Sequence, residues 1–220
     1  MKAELVDVFG DDLMVVNAAR ISMDKWHTTF ESESDTRLIN YLARENHFSP
    51  FTHPKAMFRL ELPIFVARQW EKHRIGAVRG YDIYDQNEVS RRYVDDTPTF
   101  YRVDKWRARP ATNIKQGSAG ELNAVAQVSC HNFAQTAYAT AQDAYQNLLR
   151  LGAAPEQARM VLPQAMYTQW IETGSLMYWA RVCGLRLDPH AQREIALLAQ
   201  QVNDAMAERF PVSWAALRSA

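Results

Sequence analysis

Apolar and polar positions alternate most cleanly at Ala56, Phe58, Leu60 and Leu62, with Met57, Arg59 and Glu61 between them. That period of two predicts a strand with one buried face. A looser alternation over Ala3, Leu5, Val6 and Val8 predicts a first short strand. Elsewhere the period is helical. Asp11 or Asp12 is placed to cap a helix through Leu13, Val16, Ala19 and Arg20, which ends at residues 21–23. After a polar loop, Ser34 or Asp35 is expected to cap a second helix with Leu38, Ile39, Leu42 and Ala43 on its inner face. Pro50 and Pro54 mark a compact turn region. Pro63 suits the first turn of a helix running to about Arg74.

Residues 94–116 are irregular, with Pro98 and Pro110. Ser118 is expected to cap a long helix to about Leu151, closed by a left-handed Gly152. Pro155 opens a short helix to Leu162, residues 164–170 read as extended, and 173–183 as helix. Gly184 is expected to interrupt that helix, and Asp188-Pro189 to start the last one, to Phe210. The pattern predicts an α+β fold, a small antiparallel sheet packed with several helices, in a single domain over 1–220.

Charge narrows the function. The 220 residues carry 25 basic and 25 acidic side chains, so no global field draws nucleic acid or an anionic membrane. An anion site, if present, is local. Apolar runs are too short to span a bilayer, and two cysteines with no signal peptide point to a reducing, cytoplasmic setting. There is no G-x-G-x-x-G and no Walker A loop. His47 and His53 have no partner ligands at metal-site spacing, so no metal is expected. Cys130 and His131 are adjacent and diverge on a helix, which removes them as a nucleophile and base. Cys183 reads as core.

The polar positions that resist a scaffold reading lie at 68–93. Gln69, Lys72, His73 and Arg74 form one cluster, and Asn87, Glu88, Ser90 and Arg92 a second, on either side of a Gly- and Tyr-containing segment. Arg159 and Arg186 each sit among apolar neighbours. A guanidinium there needs an acceptor, either a nearby carboxylate such as Glu156 or an anionic ligand. Together with the two clusters, a phosphate-bearing ligand is the better reading.

These residues carry a resemblance. Phe65-Val66-Ala67-Arg68-Gln69-Trp70-x-Lys72-His73-Arg74, followed by Asn87-Glu88-x-Ser90-x-Arg92-Tyr93, resembles the signature of flavin-dependent thymidylate synthases. Further landmarks follow in family order: Ala18 to Ser22, His47-x-Ser49-Pro50-Phe51-x-His53, Glu156-x-Ala158-Arg159-x-Val161-Leu162-Pro163, Thr173-Gly174-Ser175 and Leu185-Arg186-x-x-x-His190. The resemblance implies a homotetramer with active sites between subunits. It implies methylation of dUMP at C5, with methylenetetrahydrofolate as carbon donor and NADPH-reduced FAD as hydride donor, and no cysteine nucleophile. By the same resemblance, Gln69, Lys72, Glu88, Val89, Ser90, Arg91, Arg92, Arg159 and Arg186 hold the nucleotide. Arg186 is the catalytic cation, at the pyrimidine edge. Ser49, Lys72, His73, Arg74, Glu88, Ser175, Met177, Arg181 and His190 contact FAD, with Ser22 and His47 near the flavin.

The chain also departs from the family pattern. Fifteen residues separate Arg74 from Ser90, against seven in the motif, which lengthens the loop at 76–85. Lys72 replaces the first arginine of R-H-R and loses its bidentate fork. Thr52 stands where Glu is frequent, and Ser175 and Arg181 stand where Asn, or His or Asn, are common. Two alternatives follow: a C5 chemistry giving hydroxymethyl-dUMP, or a homologue that binds nucleotide without catalysis.

Overall fold

In the computed structural model the first strand, β1 (Lys2–Phe9), leads into helix α1 (Asp12–Arg20). Asp11 caps that helix, its carboxylate accepting from the Met14 N–H at 3.0 Å. Asp12 has a different task. It is buried, and its two oxygens accept from the Val212 and Ser213 N–H groups at 3.0 and 2.9 Å. Helix α2 (Ser32–Arg44) starts ahead of the expected cap. Asp35, inside its first turn, reaches back to accept from the Glu31 N–H at 2.8 Å. The same carboxylate pairs with Arg20 at 2.8 Å. His27 and Glu31 lie beside Asp35, and the cation bonded to both His27 and Asp35 is the Arg20 guanidinium.

A 3-10 turn at Ser49–Thr52 precedes β2 (Lys55–Pro63), in which Ala56, Phe58, Leu60 and Leu62 are all buried as the alternation requires. Helix α3 (Ile64–Trp70) and a 3-10 turn at Glu71–Arg74 follow, then β3 (Tyr84–Glu88). Helix α4 (Ala124–Arg150) is capped by Asn123, which accepts from the Ala126 N–H at 2.9 Å. The predicted cap, Ser118, instead accepts from Arg107 Nε at 2.7 Å, in a segment bridged at Arg107 and Glu121. Gly152 closes α4 at φ +87°, as expected. Next come α5 (Pro155–Ala158), a 3-10 turn at Arg159–Val161 and β4 (Tyr167–Ser175).

Helix α6 (Leu176–Arg186) corrects two expectations. Residues 173–175 belong to β4, because Ser175 is extended and its hydroxyl caps α6 through the Tyr178 N–H at 3.0 Å. Gly184 does not interrupt the helix. A Cβ there would lie 3.3 Å from Arg218 Nη1, so the glycine gives room to another helix. Helix α7 (Arg193–Arg209) starts later than Asp188-Pro189: Asp188 caps only a single turn, its carboxylate accepting from the His190 N–H at 2.7 Å and its carbonyl from the Ala191 N–H at 2.9 Å. Helix α8 (Pro211–Ser219) then packs against α2, its N–H groups met by Asp12.

The described residues are 1–74, 84–111 and 117–220, the side chains of 73, 74, 84 and 85 excepted. Among them four strands form an antiparallel sheet in the order β1-β2-β4-β3, with eight α-helices, as the α+β reading predicts. By contacts the chain groups into two compact units. One comprises Met1–Leu60, Trp70–Asn87 and Trp170–Ala220; the other, Glu61–Gln69 and Glu88–Gln169.

In the first unit α7 covers β1, and α6, α7 and α8 pack on one another. At its centre Glu172 is buried on the inward face of β4. Its Oε2 accepts from Trp70 Nε1 at 3.1 Å and Trp170 Nε1 at 2.6 Å, and its Oε1 from the Tyr178 hydroxyl. In the second unit α4 packs on α5 and the 159–161 turn. Phe100 stacks on Tyr138 of α4 with centroids 5.2 Å apart, and His131 lies against the Val103 carbonyl at 3.0 Å.

Gly174 is where this packing leaves no slack. A Cβ on it would overlap the Tyr178 ring. Gly174→Ala should therefore displace Tyr178 from Glu172 and cost about 1–3 kcal/mol. Urea denaturation of the two proteins checks this, and an unchanged midpoint would show that the ring swings aside freely.

Candidate functional site

The second unit holds a cavity of about 800 Å³. Its walls come from the end of β2, from α3, from the chain leaving β3, from the α5 turn and from β4. Pairing of β3 with β4 sets its floor. The ladder continues one step past β3, with the Val89 N–H donating to the Gln169 carbonyl at 2.9 Å. That register puts Glu88 beside Thr168, whose buried hydroxyl donates to Glu88 Oε1 at 2.6 Å.

Beyond Val89 the chain turns sharply, the Tyr93 and Val94 N–H groups both donating to the Ser90 carbonyl. The Ser90 hydroxyl accepts from Arg92 N and Nε, each at 3.3 Å. The Arg92 guanidinium lies over the Tyr93 ring at 5.0 Å. Arg91 turns to the cavity wall and binds Asp96, with Nη1 2.6 Å from the carboxylate.

Arg159 reaches the same cavity from the 3-10 turn. Of the two acceptors open to it from sequence, Glu156 supplies only its backbone carbonyl, to Nε at 3.3 Å. Among the described residues the Arg159 guanidinium is exposed and forms no ion pair. An exposed, always-charged bidentate donor on a cavity wall suits a phosphate or carboxylate. Arg68, Glu61 and Tyr167 complete the wall. Burial, and secondarily the Glu61 charge, holds the Tyr167 phenol above its ordinary value.

Glu88, Val89, Arg91 and Arg159 of the expected nucleotide set thus line one cavity, with Ser90 and Arg92 in the adjoining turn and Gln69 at the end of the unit's α3 segment. Arg186 and Lys72 belong to the first unit. Arg186 is half-buried in the last turn of α6, and burial pulls its guanidinium below the usual arginine value.

The expected flavin set also lies in the first unit, Glu88 excepted. Ser49 is exposed on a 3-10 turn that packs against α6, and Met177 and Arg181, four residues apart, share a face of α6. Lys72 is exposed. His190 is exposed, and its backbone N–H and ring hold Asp188 below the usual carboxylate range. Ser175 is buried and commits its hydroxyl to the α6 cap. The Ser22 hydroxyl bonds the Ala19 carbonyl at 3.0 Å, and His47 sits edge-on to Tyr41. The side chains of His73 and Arg74 and the loop at 75–83 lie outside the described residues. Burial pushes the Cys183 thiol up to about 12, so it is no nucleophile at neutral pH.

Sequence reasoning missed Thr168, Asp96 and Glu61 as wall residues. Thr168 had one signal, its alternation with Trp170, Glu172 and Gly174 on the buried face of β4. Asp96 had none.

A cavity wall whose Arg159 guanidinium meets no carboxylate among the described residues suits a small anionic ligand. Similarity to known proteins gives the chain a family. The model of the thymidylate synthase complementing protein family matches residues 4–212, and the chain belongs to that family. A flavin-dependent thymidylate synthase of Thermus thermophilus is 39% identical over 212 residues, covering 96% of this chain and 73% of that one. The enzyme of the same name from Thermosipho melanesiensis is 37% identical over 210 residues, covering 94% and 86%. A crystal structure of the UMP/dUMP methylase PolB from Streptomyces cacaoi, bound with 5-Br UMP, superposes with a TM-score of 0.85 at 32% identity. That match covers 99% of this chain and 93% of PolB, and PolB has also been solved with 5-Br dUMP.

The Thr168 to Glu88 bond yields a direct test of how the cavity floor is held. Thr168→Val keeps the shape and leaves the Glu88 carboxylate without that donor, at a cost of about 1–2 kcal/mol. Thermal unfolding should show the loss, and Thr168→Ser should restore most of it.

Proposed function

We propose that this chain is a flavin-dependent thymidylate synthase: it methylates dUMP at C5 to dTMP, taking the carbon from methylenetetrahydrofolate and hydride that originates in NADPH. The observation that carries the reading is the Arg159 guanidinium, unpaired among the described residues, in a cavity shared with Glu88, Val89 and Arg91. Membership of the family supports a nucleotide as the ligand of that cavity. The nucleotide's phosphate suits Arg159, Arg91, Arg92 and the Ser90 turn, where charge-assisted bonds are strongest. Gln69 and Lys72 complete the nucleotide set.

The donor set on the first unit fits FAD. Lys72 and Arg181 supply cations for a diphosphate, and Ser49 and His190 supply polar contacts on exposed positions. The flavin, when bound, supplies the hydride that completes the methyl group. The chain's own residues orient and polarise. Arg186 is assigned to the pyrimidine edge, where a fixed cation stabilises negative charge spread from N3 over the ring and makes C5 the better nucleophile. The proton on C5 leaves as the new carbon–carbon bond matures. Neither cysteine is needed.

The active form in this reading is a cytoplasmic homotetramer whose sites draw residues from neighbouring subunits. The N-terminal part of helix α4 supports it: Val125, Val128 and Phe133 are exposed there. Among the described residues no helix is long and apolar enough to cross a membrane.

The purified protein should be yellow, or turn yellow with added FAD. With dUMP, methylenetetrahydrofolate and NADPH it should yield dTMP by mass spectrometry. A colourless protein that FAD does not reconstitute would sink the reading, and a hydroxymethyl product would redirect it. PolB's ligands make UMP a second substrate to include in the same assay. Arg186→Ala should keep the fold and the flavin absorbance yet lose most turnover, about 100-fold or more. Near-normal rates would remove its role.

A further inference from the structure

The signature N-E-x-S-x-R-Y leaves open the position between Ser90 and Arg92, and this chain fills it with Arg91. The side chain is well covered, 14% exposed, yet it lines the cavity. One nitrogen, Nη1, donates twice to a single residue: to the Asp96 carboxylate at 2.6 Å and to the Asp96 backbone carbonyl at 2.6 Å. Asp96 lies just past the Ser90 turn, lines the same cavity, and its side chain is 68% exposed. The pair is therefore lopsided, a sheltered guanidinium facing an open carboxylate. Arg159 differs, bonding only a backbone carbonyl among the described residues.

Charge on the cavity wall makes the difference matter. Arg68, Arg91 and Arg159 face four carboxylates there: Glu61, Glu88, Asp96 and Glu156. A phosphate dianion entering this wall gains from each guanidinium and loses to each carboxylate. Asp96 is the carboxylate bound to one of those guanidiniums. Its backbone carbonyl would still hold Arg91 in place if the carboxylate lost its charge.

Resting on the nucleotide reading of this cavity, we propose that Asp96 is an affinity-setting residue that competes with the nucleotide's 5′-phosphate for Arg91. Substrate and product carry the same phosphate, so the competition weakens both equally. It therefore acts as uniform binding, which changes KM and product release but not the chemical step. The pair holds the pocket's grip on phosphate below what its arginines alone would give, and so favours exchange of dTMP for dUMP.

The test is equilibrium titration of the flavin-loaded protein with dUMP, dTMP and deoxyuridine, for wild type, Asp96→Asn, Arg91→Ala and the double variant. Asp96→Asn should lower Kd for dUMP and dTMP by the same factor, about five- to tenfold at low salt. Deoxyuridine, which has no phosphate, should be unaffected. In the Arg91→Ala background the gain should vanish, and KM for dUMP should fall in Asp96→Asn with no rise in kcat. Weaker or unchanged dUMP binding in Asp96→Asn, at an unaltered melting temperature, overturns the proposal and makes Asp96 a support for Arg91. A gain that persists without Arg91, or that extends to deoxyuridine, overturns it too. If wild type binds no dUMP at all, the nucleotide reading of the cavity fails first and the proposal falls with it.

Discussion

A carboxylate in the core organises the first unit. Glu172 is buried on a strand face where a hydrophobic residue would be routine, and an unsatisfied carboxylate there would cost several kcal/mol. It is satisfied by aromatic donors drawn from three elements: Trp70 ending α3, Trp170 on β4 itself and Tyr178 on α6. Each donor presents an apolar body to the core and one polar atom to Glu172. The arrangement ties the start of α6 to the end of α3. Those two places carry Met177 and Arg181 on one side and Lys72 on the other. Gly174 lets Tyr178 come close enough to take part.

The second unit solves a different problem, which is to keep charge available. Arginines near carboxylates normally pair off, and many such pairs contribute little to stability. Here the register of β3 on β4 gives Glu88 to Thr168, and the Ser90 turn keeps Arg92 on Tyr93. Arg159 remains with a single backbone carbonyl among the described residues. The cavity wall is close to balanced in formal charge, so its response to a phosphate depends on which guanidinium already holds a carboxylate. Arg91 does and Arg159 does not.

Relatives and fold converge on one family, while the details that set this chain apart are local. The signature carries an arginine at its open position, a lysine in place of the first arginine and a lengthened spacer. The first of these is met in the structure by a partner, Asp96, that no motif names.

Much was legible in the sequence because it depends on neighbours along the chain. The burial of alternate residues in β2, the Asp11 cap, the left-handed Gly152 and the arginine-rich segment around Ser90 all follow from local pattern. Strand β4 was only half legible, since its inward face is Thr168, Trp170, Glu172 and Gly174, and hydrophobic periodicity cannot see a buried carboxylate or a glycine making room for a ring. The helix through Gly184 was misread for the same reason: the glycine answers to Arg218, far away in sequence, not to its own turn. The cap of α4 was misplaced because the side chain expected to supply it serves another segment, Ser118 accepting from Arg107. The sequence by itself determined the family, the fold class and the arginine-rich segment around Ser90. Only the tertiary structure decided which acceptor each arginine meets, because that choice rests on strand register and on contacts between residues that the chain order keeps apart.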